Sequence, residues 1–245
     1  MRNIMDNQNR LSFTVNRKIL VLLLVLLPGL GLSSLNGQVK VAPTGNVTGI
    51  MVDDQLVEFT TRLCVVEAGW GKTIASGKDV EHSTYSMEEG KHIIETTVDG
   101  VQFVEEVEDK GDGFASIKVR SEAETDKALE GAFLQFEMTG GNLDAGYIWM
   151  DPEFGKTKLR ISEIVPKRLG GPASFLIRSF QIDSGAEKLN VDFGEDLRVF
   201  VMHLDENEEH ILRVFVKLMG SDLNNGDVSL NRFEVEADLN EVAMN

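Results

Sequence analysis

The 245 residues carry 40 acidic against 24 basic side chains, a formal net charge of −16. Binding a nucleic-acid backbone means releasing its counterions to clustered lysines and arginines, so a chain this acidic excludes nucleic acid as a partner, and the same sign opposes adsorption to an anionic membrane surface. With one cysteine, Cys64, no disulfide framework is available, and stability must come from a core that about two hundred residues are enough to build.

The chain opens on a basic leader, Arg2, Arg10, Arg17 and Lys18 against Asp6, which runs into the apolar stretch 19–27 and is broken by Pro28, Gly29 and Gly31. This pattern predicts a signal peptide over residues 1–37, with small residues offering cleavage after Ser33 or Gly37. A bilayer core needs about 20 apolar residues, so no stable membrane span is expected after cleavage. Losing four basic residues and one acidic residue takes the mature charge to about −19. The expected destination is outside the cytoplasm of a bacterial host: periplasm, cell surface or medium. The sequon Asn46-Val47-Thr48 would matter only in a host that glycosylates exported chains.

From residue 38 onward the chain is written in period two, with short runs of Val, Ile, Phe and Thr between turn signals. In the strand read over 61–66, Cys64 shares a face with Arg62 and Val66 while Leu63 and Val65 take the other, so a buried, inert thiol is expected. Gly71-Lys72-Thr73 and Gly155-Lys156-Thr157 imitate the end of a phosphate loop. Val66 and Met150 stand where that loop needs its first glycine, and a strand follows where it needs a helix. The clearest unit is 91–109, where Ile94, Thr96 and Val98 lead to Asp99-Gly100, the pair that a tight type I′ hairpin favours, and Val101, Phe103 and Glu105 lead away. A second turn at 109–113 returns the chain through 114–119, giving a meander.

Further strands are expected over 132–138, 145–150, 156–164, 175–182, 189–193, 197–204, 211–218 and 228–235. The runs 197–204 and 211–218 flank the acidic stretch 205–209, read as a solvated hairpin tip, and their apolar density marks them as central. Asp222-Leu-Asn-Asn-Gly-Asp227 begins like a calcium loop, but Phe233 occupies the position of the closing acid, so an Asn-Gly turn is the expected structure. So many antiparallel strands hide their apolar faces only by stacking or closing. The expected fold class is all-β: a large antiparallel β-sandwich, jelly-roll-like or extended, as a single domain over 38–245.

No nucleophile elbow is present, the four histidines His82, His92, His203 and His210 suggest no base beside Cys64, and acid pairs are too numerous in this chain for spacing to pick a glycosidase pair. No catalytic residue, metal or cofactor is therefore assigned. The segment 140–155 concentrates Tyr147, Trp149, Asp151 and Glu153 between glycine-rich turns. On a strand Tyr147, Trp149 and Asp151 share one side, an aromatic platform beside carboxylates of the kind that sugar rings need. The alternative is that both rings fill the sandwich core. These four residues are the candidate ligand-binding set.

The stretch Val47–Met150, above all Val-Thr-Gly-Ile-Met-Val-Asp-Asp-Gln-Leu-Val-Glu-Phe-Thr-Thr-Arg-Leu-Cys-Val-Val-Glu-Ala-Gly-Trp from Val47 to Trp70, resembles the accessory β-sandwich modules of secreted bacterial polysaccharide-degrading enzymes. The resemblance covers about half of the mature chain and implies a module without a catalytic domain; it transfers no catalytic residue. The expected function is a secreted non-catalytic module that binds a polysaccharide or another cell-envelope component. The alternatives are a small secreted carbohydrate-active enzyme, of glycoside hydrolase or lyase type, with carboxylates on the sandwich face, and a structural or protein-interaction domain.

Overall fold

The computed structural model describes residues 39–80, 83–140, 143–152, 157–164, 172–206 and 209–240. The expected signal peptide, residues 1–37, lies outside them. Three short strands, β1 (Val39–Val41), β2 (Val47–Val52) and β3 (Gln55–Glu58), pair in chain order as a small antiparallel sheet. The rest of the chain builds a 14-stranded sheet. Its first half comprises β4 (Thr60–Glu67), β5 (Thr73–Ala75), β6 (Ser83–Glu88), β7 (Lys91–Val98), β8 (Val101–Gly111), β9 (Phe114–Ala123) and β10 (Lys127–Thr139). Its second half comprises β11 (Tyr147–Pro152), β12 (Thr157–Arg160), β13 (Ala173–Asp183), β14 (Glu187–Glu206), β15 (Glu209–Met219), β16 (Asp222–Leu223) and β17 (Val228–Leu239). The all-β antiparallel expectation is borne out.

The meander forms where alternation and turn chemistry agree. Asp99 and Gly100 both have positive φ, 48° and 82°, the requirement that selected an Asp-Gly pair. Residues 91–98 then pair with 101–108 in unbroken register, and β9 follows beside β8. The calcium-like string is a turn, in which the backbone N–H and the side chain of Asn224 both donate to the Asp227 carboxylate.

Two stretches depart from the sequence reading. Residues 189–193 and 197–204, expected as separate strands, belong to one twenty-residue strand, β14. It changes partner along its length: residues 187–192 pair with β17, and residues 199–206 pair with β15. Gly194-Glu195-Asp196 reads as a loop in sequence, yet it lies inside this strand. The segment expected as a strand from 145 starts as a 3₁₀ turn, Leu143–Ala145, and β12 ends at Arg160 in a second 3₁₀ turn, Ile161–Glu163, which buries Ile161.

The partner change folds the large sheet into two leaves. One runs β5-β4-β10-β15 to the C-terminal part of β14; the other runs from the N-terminal part of β14 through β17-β9-β8-β7-β6. Alternate residues of both leaves meet in one continuous core, including Leu63, Leu134 and Val216 from the first and Phe103, Ile117 and Val235 from the second, and the small sheet adds Ile50 and Val57. A chain of aromatic contacts, Phe59–Phe136–Phe180–Phe193–Phe233, threads this core with ring centroids 5.5–6.4 Å apart, the range in which tilted and edge-on pairs attract.

The first leaf carries a second apolar cluster on its outer face: Cys64, Val66, Ala75, Phe133, Phe200 and Phe215. The division of β4 into two faces matches the alternation read at Leu63–Val66. Trp70, held at a φ of 57° in the β4–β5 loop, lies over Phe133, Phe200 and Phe215 at 4.8–5.7 Å and seals the cluster. Burial pushes the Cys64 thiol far above its ordinary range, opposed only in part by the charges of Arg62 and Arg213. Cys64 is therefore expected to resist a colorimetric thiol reagent at pH 8 in the native protein and to react with one equivalent once denatured. Fast native-state labelling would contradict the packing described.

Beside this cluster Glu137 accepts hydrogen bonds from Arg62 (2.8 Å) and Arg213 (2.6 Å). Burial raises its carboxyl, but the two arginine hydrogen bonds and charges outweigh that, so the group stays below the ordinary carboxylate range. The sequon asparagine, Asn46, is buried and bonded through its side chain to Ser76, so in the folded chain it is a structural residue.

Candidate functional site

Strand β11 sits between β12 and β13, and its alternation decides which side chains face out. Ile148 and Met150 are fully buried in the sandwich core, so Tyr147 and Trp149 point to the opposite, outer face, where each is half-buried. The core-filling role weighed for the two rings thus falls to their aliphatic neighbours. Asp151 is exposed at the end of the same strand; Glu153 lies outside the described residues.

Neighbouring strands place a polar row beside each ring. Trp149 stands between Lys158 of β12 and Gln181 of β13, and Tyr147 between Arg160 and Asp183. Lys158 Nζ lies 3.6 Å from the Tyr147 ring centroid and 4.6 Å from that of Trp149, while Arg160 donates a hydrogen bond to the Tyr147 hydroxyl at 3.2 Å. The rows continue across β14 to β17: Asn190 follows Gln181 and bonds Glu236, and Lys188 follows Asp183.

A depression of about 530 Å³ opens beside Tyr147, with Asp183, Lys188, Asp238 and Asn240 on its other walls. That volume falls in the range of small-molecule sites. Its geometry depends on Gly146, because a Cβ there would lie 2.5 Å from the carbonyl oxygen of Asp183; only a glycine lets β11 begin this close to β13. By contrast, the cavity beside Glu137 measures about 60 Å³, enough for water alone.

A second assembly involves residues that the sequence reading left apart. His203 and Asp205 near the end of β14, His210 at the start of β15, and Asp144 of the first 3₁₀ turn each point one ligand atom toward a common centre, all four atoms within 4.8 Å of one another. All three strand positions had a local signal: His203-x-Asp205 shares a strand face, and antiparallel register puts His210 directly opposite Asp205. Asp144 is remote in sequence and carries no such signal.

No family model matches the chain, and no curated protein is similar to it. The sequence resemblance to accessory modules thus has no family match beside it. Among solved structures, the chain is similar to the GalM/aldose epimerase homologue from C. elegans, at 9% identity over 74% of this chain and 82% of that one, with a TM-score of 0.41. It is also similar to the galactosidase domain of an alpha-galactosidase-sucrose kinase, at 7% identity over 79% of this chain and 29% of that one, with a TM-score of 0.38. Among the described residues no helix is long and apolar enough to cross a membrane.

Proposed function

We propose that the chain is an exported, non-catalytic β-sandwich module that binds carbohydrate, or another hydroxyl-rich component of the cell envelope, on the outer face of β11–β13. Its place of work on this reading is the periplasm, the cell surface or the medium. The observation that carries the reading is the outward pair Tyr147 and Trp149, with Lys158 over both rings and Tyr147 bordering a depression walled by Asp183, Lys188 and Asp238. A pyranose offers an apolar face of C–H groups to such rings and a rim of hydroxyls to such polar groups. Asp151 lies at the solvent end of the strip.

The test is retention of the protein on a panel of polysaccharides, with assay of new reducing ends in the same incubations. The expected result is retention without product. Loss of one ring contact costs about 1 kcal/mol, so Trp149→Ala is expected to weaken retention by about five- to tenfold with no change in thermal midpoint. Retention unaffected by both Trp149→Ala and Tyr147→Ala would remove this surface from consideration, and release of reducing ends would turn the reading to an enzyme.

A further inference from the structure

The inner face of the first leaf changes character at its end. Along β14 the positions 199 and 201 are valines packed in the core, and the next two on that face are His203 and Asp205; along β15, Leu212 is followed outward by His210. The first 3₁₀ turn, anchored by the buried Leu143, brings Asp144 over this rim. His203 Nε2 is 3.3 Å from Asp144 Oδ1 and 3.8 Å from Asp205 Oδ1, while His210 Nδ1 is 3.4 Å and 2.8 Å from the same two atoms. The imidazoles are stacked, with centroids 5.9 Å apart.

From this geometry we infer a binding site for a divalent transition cation of the zinc type, held by Asp144, His203, Asp205 and His210. Imidazole nitrogens and carboxylate oxygens bind zinc at about 2.0–2.2 Å, which in a tetrahedral shell separates ligand atoms by about 3.3–3.6 Å. The four imidazole–carboxylate separations, 2.8–3.8 Å, bracket that spacing, and all six pairs lie within 4.8 Å.

A second observation is independent of the clustering. The His203 side chain retains 9% of its exposure, and its Nε2, turned into the cluster, has no hydrogen-bond partner among the described residues; the same is true of Asp144 Oδ1. A buried polar atom without a partner is destabilising, and a cation at the common centre would satisfy both. It would also offset the repulsion between two carboxylates brought within 4.8 Å.

The donor set points to the class of metal. Two imidazoles suit zinc, copper, nickel or iron, whereas calcium and magnesium prefer all-oxygen shells. Asp205 and Asp144, with 72% and 44% of their side-chain surface exposed, leave the site open on its outer side, so the ion can enter from solvent. Once bound, it would tie the β14–β15 hairpin to the 3₁₀ turn that precedes β11. This inference does not depend on the carbohydrate reading.

The test uses the full chain, stripped with a chelator and titrated with Zn²⁺ and, as a spectroscopic probe, Co²⁺. One equivalent of Zn²⁺ is expected to bind and to raise the thermal midpoint, and Co²⁺ is expected to give the visible absorption of a four-coordinate site. His210→Ala and His203→Ala should each weaken binding by at least about 100-fold, the upper end of what losing a mere supporting group costs. Asp205→Asn, at an exposed position, should weaken binding while the metal-free chain still folds, and His92→Ala, on a strand remote from the cluster, should leave binding unchanged. Absence of saturable Zn²⁺ or Co²⁺ binding, equal binding by wild type and the Asp205→Asn and His210→Ala variants, or a preference for Ca²⁺ or Mg²⁺ would each overturn the assignment.

Discussion

Glu105→Gln is expected to stabilise the chain by about 4–5 kcal/mol at pH 9 and to leave it nearly unchanged at pH 4. Glu105 lies on the inner face of β8 between Phe103 and Val107, opposite Ile94 and Val119, with 2% of its surface exposed. Its Oε1 has no hydrogen-bond partner among the described residues. Burial raises its pKa from an ordinary 4.5 to about 8, because the core cannot solvate the ionised form. Below pH 4.5 the carboxyl is protonated in both states and the folded chain keeps its full stability. Between 4.5 and 8 the unfolded chain gives up a proton that the folded chain retains, so stability falls as pH rises, and it levels off above 8. Glutamine has no such proton. Urea midpoints of wild type and variant at pH 4, 6.5 and 9 measure the effect through their difference, which removes contributions from other groups. A difference that does not grow with pH would mean that Glu105 is solvated or paired.

Phe133→Ala is expected to cost about 3–5 kcal/mol, as for large-to-small changes in a core, although Phe133 belongs to the outer face of its leaf. The ring is fully buried and lies 5.7 Å from Trp70, 5.8 Å from Phe200 and 6.0 Å from Phe215, with the Lys217 ammonium 5.9 Å above it. Its removal leaves a void bordered by Trp70, Phe200 and Phe215. Trp70 fluorescence should therefore shift to the red while the far-ultraviolet signal of the strands persists, and the denaturant midpoint should drop. Phe133→Leu keeps part of the volume and should cost about half as much. A loss below about 1 kcal/mol for the alanine variant would show that Trp70 contributes little as a lid.

How much of this was legible beforehand depends on the range over which the signal acts. Period two and the Asp-Gly pair at 99–100 are local, and the strands of the meander and their turn lie where they were read. The two faces of β4 were legible for the same reason. The face of β11 was not: Ile148 and Met150 are as apolar as Tyr147 and Trp149, so alternation separates the two pairs without saying which one the core takes. The continuity of β14 was hidden because Gly194-Glu195-Asp196 has loop composition, and only pairing with β13 and β17 on one side of it and β15 on the other keeps the strand intact. The histidine–aspartate cluster was legible except for one member. Three of its members sit on one hairpin, but Asp144 arrives through the packing of Leu143 and the close approach at Gly146, which no short-range pattern encodes.

The shared strand has a consequence for how the molecule comes apart. Because β14 gives its N-terminal part to one leaf and its C-terminal part to the other, neither leaf can lose its ladder without stripping hydrogen bonds from a strand that the other still holds. Partial opening is thereby penalised, and the sandwich is expected to unfold in a single cooperative transition in a denaturant titration. The amides in the inner stretches of β14 then exchange with solvent only when everything else does, while the outermost strand β6 can fray alone.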